Sequence, residues 1–343
     1  MTVTNQHRIA FPSSASLAVA HDPQAVVDVL VRGMRVEAEG VVSLEFARPN
    51  GKPFPEWQPG AHLDVLLDGS LLRQYSLCSQ PGEPWRVAVL REPQSRGGSA
   101  YIHSSLRVGD LVGLRGPRNN FALDAAGRYR FLAGGIGITP ILSMVRRAEE
   151  QGSEWTLDYL GRSRATMAFL GELASFGDRV RIHADDTDGG FDLSGHLAEP
   201  GPGTLAYACG PGGLLGVLAK AAQSWSDPSA LRLERFAADA SVRTGAGSRR
   251  EAGTGAFIVE LADGQEVAVP ADRSILEALE DHGYAPPNSC REGICGTCET
   301  TVLGGDVDHR DTLLSAAEKE ANETMMICVS RARGGCRLRL DLP

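Results

Sequence analysis

Three cysteines stand close together in "SCREGICGTC": Cys290, Cys295 and Cys298, with Cys328 following further along the chain. A tetrahedral zinc site usually comes as two closely spaced pairs. A three-plus-one set with a four-residue first gap is instead the plant-type ferredoxin spacing. The pattern predicts a [2Fe–2S] cluster held by Cys290, Cys295, Cys298 and Cys328, with zinc or inert thiols as the alternatives. Gly293 and Gly296 let the loop turn tightly, so that amide N–H groups can face the sulfides. Cys336 lies outside the spacing and reads as an ordinary thiol. Seven cysteines, an odd number with three crowded, do not suit a secreted disulfide framework in a chain of 343 residues.

A cluster of this kind holds one electron at a time, whereas nicotinamides deliver two as hydride. Flavin is the usual splitter. The run "RQYSLCS" fits one. Arg73 offers a forked donor to a phosphate, Gln74 lies beside it, Tyr75 offers a flat face for stacking, and Ser76 can hydrogen-bond near the reactive nitrogen. In "SRGGSA", Arg96 adds charge, Ser99 a hydroxyl, and Gly97 and Gly98 backbone N–H groups, which together make an anion nest. An ordinary β-strand edge and a tight turn are the plainer readings. For the nicotinamide, "LAGGIGITP" closes a strand and opens a helix. Gly134, Gly135 and Gly137 permit close approach of a dinucleotide, and the helix N-terminus favours its pyrophosphate. Pro140 stands where a third fingerprint glycine would be. Cys209, Gly210 and Pro211 of "ACGPGGL" end a later strand where a nicotinamide ring fits.

Three textures must position these residues. Residues 24–124 carry short β-rich runs punctuated by Gly and Pro, which predicts an antiparallel β-barrel. Residues 125–237 alternate strand and helix, the mark of an α/β parallel sheet. "TPILSMVRRAEEQG" reads as a helix with Thr139 as N-cap, Pro140 at the first helical position and Gly152 as stop. "TMAFLGELASFG" reads as the next helix. Residues 238–256 are rich in Gly, Ala, Ser and Arg, and read as a linker across which few contacts are expected. Residues 257–343 open on a hairpin, "AFIVELADGQEVAVPA". A short helix follows, with a Ser274–Glu277 capping box and Gly283 at its end. This predicts a small α+β ferredoxin (β-grasp) unit. Residues 1–23 read as a flexible leader without the apolar core of a signal peptide.

The net charge of −9 argues against nucleic-acid binding. No apolar run approaches the ~20 residues needed to span a bilayer, so a cytoplasmic protein that does not enter membranes is expected. Sixteen acidic and eight basic side chains lie from Phe257 onward, so nearly all the net charge sits there. Such a module suits docking to a basic patch on a partner protein, although solubility alone explains it equally well.

These motifs, in this order, resemble the phthalate dioxygenase reductase family. The match extends from about residue 25 through "RQYSLC", "RGGS", "PRNNF", "AGGIGITPILSM", "CGP", "LERF", "CREGICGTC", "DHRD" and "ICVSRA". Vanillate demethylase reductases look similar. The resemblance implies FMN, not FAD, on Arg73, Tyr75 and Ser76, on the strand Val89, Leu90 and Arg91, and on the Gly97–Ser99 loop, with Thr139 nearby. It implies that Phe236 covers the flavin and yields to nicotinamide, so that Ser76, Cys209 and Phe236 stand at the reacting centre. It implies NADH as donor and a Rieske-type terminal oxygenase as partner, and a monomer is expected. A haem-thiolate monooxygenase partner, or a redox sensor without turnover, are the alternatives. One departure concerns the adenosine ribose. Here "GRSRATMAF" places Arg162, Ser163 and Arg164 where the family often has an acidic residue, and an arginine there can hold a 2′-phosphate, which leaves NADPH as the alternative donor.

Overall fold

The computed structural model describes residues 25–68, 71–236 and 255–342. The expected leader lies outside the described residues, as does the expected linker up to residue 254.

The first unit is a curled antiparallel sheet of six strands: β1 (Val27–Ala38), β2 (Val41–Ala47), β3 (His62–Leu67), β4 (Leu71–Ser76), β5 (Arg86–Leu90) and β6 (Leu111–Arg118), in the order β4-β3-β6-β1-β2-β5. The two edge strands approach each other at a bridge between Leu77 and Val87, so the sheet nearly closes on itself. Val29, Val31, Leu44, Phe46, Leu63, Val65 and Val87 fill its interior, the alternate positions of their strands. Helix α1 (Gly98–Ser104) plugs one mouth with Ile102.

The second unit is a parallel sheet of β7 (Arg128–Gly134), β8 (Glu154–Gly161), β9 (Val180–Ala184), β10 (Thr204–Cys209) and β11 (Leu231–Glu234), ordered β11-β10-β7-β8-β9. The chain winds outward from β7 to β9, then returns to the other side with β10. That reversal puts a switch point between the ends of β7 and β10, the place where open α/β sheets bind ligands. Helix α2 (Ile138–Glu150) covers one face, with Ile141, Leu142, Met144 and Val145 buried.

Thr139 does not cap this helix. A turn at Gly135–Gly137 starts the winding earlier, so Gly137 is the N-cap and Thr139 lies inside, its hydroxyl donating to Ile136 O at 3.0 Å. The helix expected over "TMAFLGELASFG" is broken. Phe169 (φ 64°) and Gly177 (φ 60°) both leave right-handed space, so only Leu170–Leu173 and a 3₁₀ stretch remain.

The third unit comprises β12 (Phe257–Glu260), β13 (Glu266–Val269), β14 (Glu299–Gly304), β15 (Val307–Asp308), β16 (Thr324–Met326), β17 (Arg331–Ala332) and β18 (Leu338–Leu340). The hairpin of β12 and β13 forms as expected, and the helix Ile275–Asp281 carries both halves of its Ser274–Glu277 box. Phe257, Val259, Ile275, Leu279 and Ile327 make a separate core.

The first two units are joined by a short segment fixed to the parallel sheet by two tyrosines. Tyr207 on β10 donates to Ala122 O at 3.0 Å and accepts from Asp124 N at 2.8 Å, and Tyr129 on β7 donates to Asp124 O at 2.9 Å. Tyr207→Phe keeps the ring but leaves two backbone groups without a partner. It is expected to cost about 1–2 kcal/mol of stability, read as a lower urea midpoint with an unchanged m-value.

Candidate functional site

One cavity of about 510 Å³ lies where the three units meet. The barrel contributes His62, Arg73, Gln74, Tyr75, Ser76, Leu90, Ser95, Arg96 and Ser99 to its wall, the parallel sheet Thr139, Glu234 and Phe236, and the third unit Ser289, Cys290, Ile294 and Leu313. Three walls from sequence-distant segments, apolar and polar by turns, make a cofactor-sized site.

The strand β4 sets the spacing of the polar groups. Arg73 and Ser76 are three residues apart, about 10 Å along an extended chain. Arg73 packs beneath the glycine loop, where a Cβ on Gly98 would run into its side chain. Its guanidinium donates to Leu72 O at 2.7 Å and to Arg96 O. In the nest, Ser95 Oγ accepts from Gly97 N and Ala100 N, both at 3.2 Å, so a serine occupies part of it. Tyr75 lies against the wall, and burial pushes its hydroxyl pKa up. On β5, Leu90 faces the cavity while Val89 points into the barrel core, as strand alternation requires. Val89 O contacts His103 Nε2 at 3.0 Å, and Arg91 is exposed with its amide bonded to Gly40 O.

At the switch point the two glycine motifs lock against each other. A Cβ on Gly134 would come within 2.7 Å of Pro211 Cδ, and one on Gly137 would strike the backbone of Cys209. Gly135 takes a left-handed turn (φ 55°) with open space around it. Gly210 abuts the Gly134 backbone. Cys209 is fully buried and does not line the cavity, and burial first, then Glu234, push its thiol up. Phe236 is 42% exposed at the cavity's open side. Arg162 and Arg164 are exposed, and Ser163 Oγ lies 3.2 Å from Thr166 Oγ1.

Two wall residues escaped the sequence reading. Glu234, at the end of β11, accepts a hydrogen bond from Ser76, yet burial outweighs that bond and raises its pKa to about 8. The motif "LERF" held the clue, because a carboxylate closing a parallel strand faces the switch-point crevice. His62 is 3% exposed, and neither ring nitrogen has a hydrogen-bond partner. Burial first, then Arg118, lower its pKa to about 4, so it is neutral at pH 7.

The cysteine loop sits at the same cavity. Cys290 hydrogen-bonds to Cys295 and Cys328, and Cys298 to Cys328. The bonds from Cys295 and then Cys328 draw the Cys290 thiol far below its usual range. Glu292 N also donates to Cys290 Sγ, at 3.3 Å. Gly293 (φ 69°) and Gly296 (φ 72°) take the left-handed conformations that the tight loop requires, and a Cβ on Gly293 would lie 2.6 Å from Val329 Cγ2. Among the described residues no group of three or more Cys, His, Asp or Glu is arranged around a single ion. Two thiol pairs joined by Cys290–Cys328, with amide donors on the sulfur, have the chemistry that would hold a two-iron cluster.

A few side-chain contacts join this loop to the barrel. Arg96 Nη1 donates to Cys290 O at 3.1 Å and pairs with Glu292 at 3.3 Å, Arg118 reaches Thr297 Oγ1 at 3.1 Å, and Asn120 reaches Cys295 O at 3.5 Å. The linker's Gly and Ala content reports on the connection alone, whereas these contacts come from side chains far from it in sequence.

A barrel, a parallel sheet with a switch-point crevice and a ferredoxin-like unit around one cavity define a modular flavin and iron–sulfur reductase. Residues 259–333 match the model of the 2Fe-2S iron-sulfur cluster binding domain. The chain is 41% identical to a vanillate O-demethylase oxidoreductase of Pseudomonas sp. (strain HR199 / DSM 7063), over 92% of this chain and 100% of that one. The solved phthalate dioxygenase reductase, described as a modular structure for electron transfer from pyridine nucleotides to [2Fe-2S], superposes with TM-score 0.66 at 34% identity, covering 92% of this chain and 98% of that one. An intact type IV self-sufficient cytochrome P450 monooxygenase gives TM-score 0.82 at 40% identity, and this chain spans 41% of that longer chain. The chain belongs to the phthalate dioxygenase reductase family and is a reductase of oxygenase systems. Among the described residues no helix is long and apolar enough to cross a membrane.

The raised pKa of Glu234 carries a stability signature. In the flavin-free protein it stays protonated up to about pH 8, while in the unfolded chain it ionises near pH 4–4.5. Between those values the native state binds more protons, so the contribution of Glu234 to stability falls as pH rises. Glu234→Gln removes that slope. Urea unfolding at pH 5 and pH 8 should show the variant gaining about 3–4 kcal/mol relative to wild type. An equal difference at both values would mean that the carboxylate is already ionised.

Proposed function

We propose that this chain takes hydride from NADH at the switch point of its parallel sheet, works through FMN in the shared cavity, and supplies single electrons to a Rieske-type terminal oxygenase. The observation that carries this reading is the cavity itself, where Ser76, Thr139, Glu234 and Cys290 share one wall system. When bound, the flavin accepts an electron pair and releases it singly, and the cluster carries one electron at a time.

The chain's own residues have definite tasks. Arg73, with Arg96 and Ser99, holds the terminal phosphate, and Gln74 and Tyr75 line the cofactor's length. Leu90, with the backbone of Val89 and Arg91 on β5, backs it, and Gly97 and Gly98 let the loop close over it. Ser76 and Thr139 hold the reacting edge, with Cys209 packed behind Glu234. Phe236 covers the open face and excludes water until nicotinamide displaces it. Gly134, Gly135, Gly137, Gly210 and Pro211 shape the crevice for the dinucleotide, and Arg162 and Ser163 receive its adenosine end. Cys290, Cys295, Cys298 and Cys328 ligate the cluster. In this reading the chain divides into barrel (24–124), nucleotide (125–237) and ferredoxin (257–343) modules, and the reductase works as a cytoplasmic monomer.

NADH is favoured over NADPH by the surroundings of Arg164. Its charge acts on Asp188, in a turn that also carries Asp185 and Asp186, and Asp186 N donates to Arg162 O. A single exposed arginine near Asp188, with no basic cluster around it among the described residues, is poorly placed to grip a 2′-phosphate. The expected NADPH-to-NADH ratio of kcat/KM is below about one tenth, and Arg164→Ala should change the NADH value less than about twofold. A ratio above one would reverse the assignment.

The cofactor and partner are tested together. Released flavin should run as FMN on chromatography, and Cys290→Ser should lose the cluster while keeping the flavin. Anaerobic mixing of the NADH-reduced protein with a Rieske oxygenase, or with a haem-thiolate monooxygenase, identifies the acceptor by which one is reduced. Reduction of the haem protein alone would transfer the reading to the second partner.

A further inference from the structure

A chain of polar contacts runs from a buried carboxylate in the barrel to a cysteine of the cluster loop. Asp64, on β3, is fully buried and accepts from Arg115 Nε at 2.9 Å, from Arg118 Nη2 at 2.8 Å and from Gln74 Nε2 at 3.2 Å. The same Arg118 nitrogen donates to Thr297 Oγ1 at 3.1 Å, and that hydroxyl lies 3.3 Å from Cys295 Sγ. Asn120 adds its contact to Cys295 O and stands 3.3 Å from where a Gly296 Cβ would be.

The charges in this chain do not balance within the barrel. One carboxylate faces two guanidiniums, and Arg115 alone suffices to pair Asp64. A second, largely buried arginine is costly unless something else needs its charge. Arg118 is 17% exposed, and its Nε and Nη1 are buried without partners. Its field also reaches His62, where it helps to lower the pKa. The element it faces across the unit boundary is the loop of thiolates, which carries more negative charge after reduction.

We propose that Arg118 is a positioning residue for electron transfer: anchored by Asp64, it seats the Cys295–Cys298 loop at the flavin cavity and favours the reduced cluster. The inference rests on the functional reading above. The transfer it serves moves one electron from bound reduced flavin to the oxidised cluster, with NADH as the source, and no bond or proton changes at Arg118. Removing the contact leaves hydride transfer alone and slows the step between the modules.

The test is anaerobic stopped-flow of the full-length holoprotein with NADH, following flavin and cluster bleaching separately in wild type, Arg118→Gln, Thr297→Val and Thr297→Ser. Arg118→Gln leaves Asp64 paired with Arg115, so the barrel keeps its buried ion pair. Arg118→Gln and Thr297→Val are expected to slow the cluster phase about tenfold and change the flavin phase less than about twofold, while Thr297→Ser, which retains the hydroxyl, behaves as wild type. Arg118→Gln should also move the cluster's midpoint potential, followed by EPR, to a more negative value, and increase amide exchange over residues 290–298. Cluster phases within about twofold of wild type, or an equal slowing of both phases, overturn the proposal. If Arg118→Gln lacks its cluster, Thr297→Val decides, because it leaves the barrel untouched. A wild type that shows no cluster phase at all sinks the functional reading and not merely the role of Arg118.

Discussion

Hydride and single electrons pass only between groups held close together, so three units, two of them sharing a core that runs from Val41 and Ala88 of the barrel to Phe131 and Ile141 of the parallel sheet, must give part of their surface to one cavity. The joints that achieve this differ in strength. Between barrel and parallel sheet, Glu172 receives Arg86 twice, at 2.8 and 3.0 Å, and also Arg146, with all three side chains less than a third exposed. A partly buried, forked network of this kind resists separation, because pulling it apart leaves charges uncompensated. Between barrel and cluster loop there are single hydrogen bonds and the Arg96–Glu292 pair, whose arginine is 58% exposed. Such a surface pair contributes about 0–1 kcal/mol. The joint between barrel and parallel sheet is the firm one, and the joint to the cysteine loop is the soft one.

Much of this was legible because the sequence places its punctuation where backbone geometry is most demanding. The four cysteines and the two loop glycines announce their loop by spacing, and Gly293 and Gly296 do take left-handed turns. The Ser274–Glu277 box marks a helix start through two reciprocal bonds that depend only on local sequence. Thr139 misled because the preceding Gly135–Gly137 turn is already wound, and a cap is defined by where winding starts, not by residue type. The segment after Met167 misled because its apolar spacing is helical while Phe169 takes a left-handed φ that no spacing reveals.

The site residues missed by sequence share one property: their role depends on which strand ends come together. Glu234 and His62 are about 170 positions apart and belong to different sheets, yet both line one cavity. Arg118 and Asn120 sit in "PRNNF", a run with no spacing rule of its own, and acquire meaning only when the cluster loop arrives opposite. Long-range placement of this kind follows from sheet order and the switch point, which are properties of the whole chain.

Burial also decides the charge of the cavity, and in a consistent direction. His62, on the barrel wall, is pushed down to about 4 and Glu234, on the opposing sheet, up to about 8. Both are therefore neutral around pH 7, one by losing a proton and the other by keeping one, because a dry wall disfavours either charge. Neither adds a net charge beside Ser76. The Arg73 guanidinium lies further along, about 10 Å down β4 from Ser76. The cavity wall is therefore charged at its Arg73 end and uncharged around Ser76, an asymmetry set by how far each wall is shut off from water.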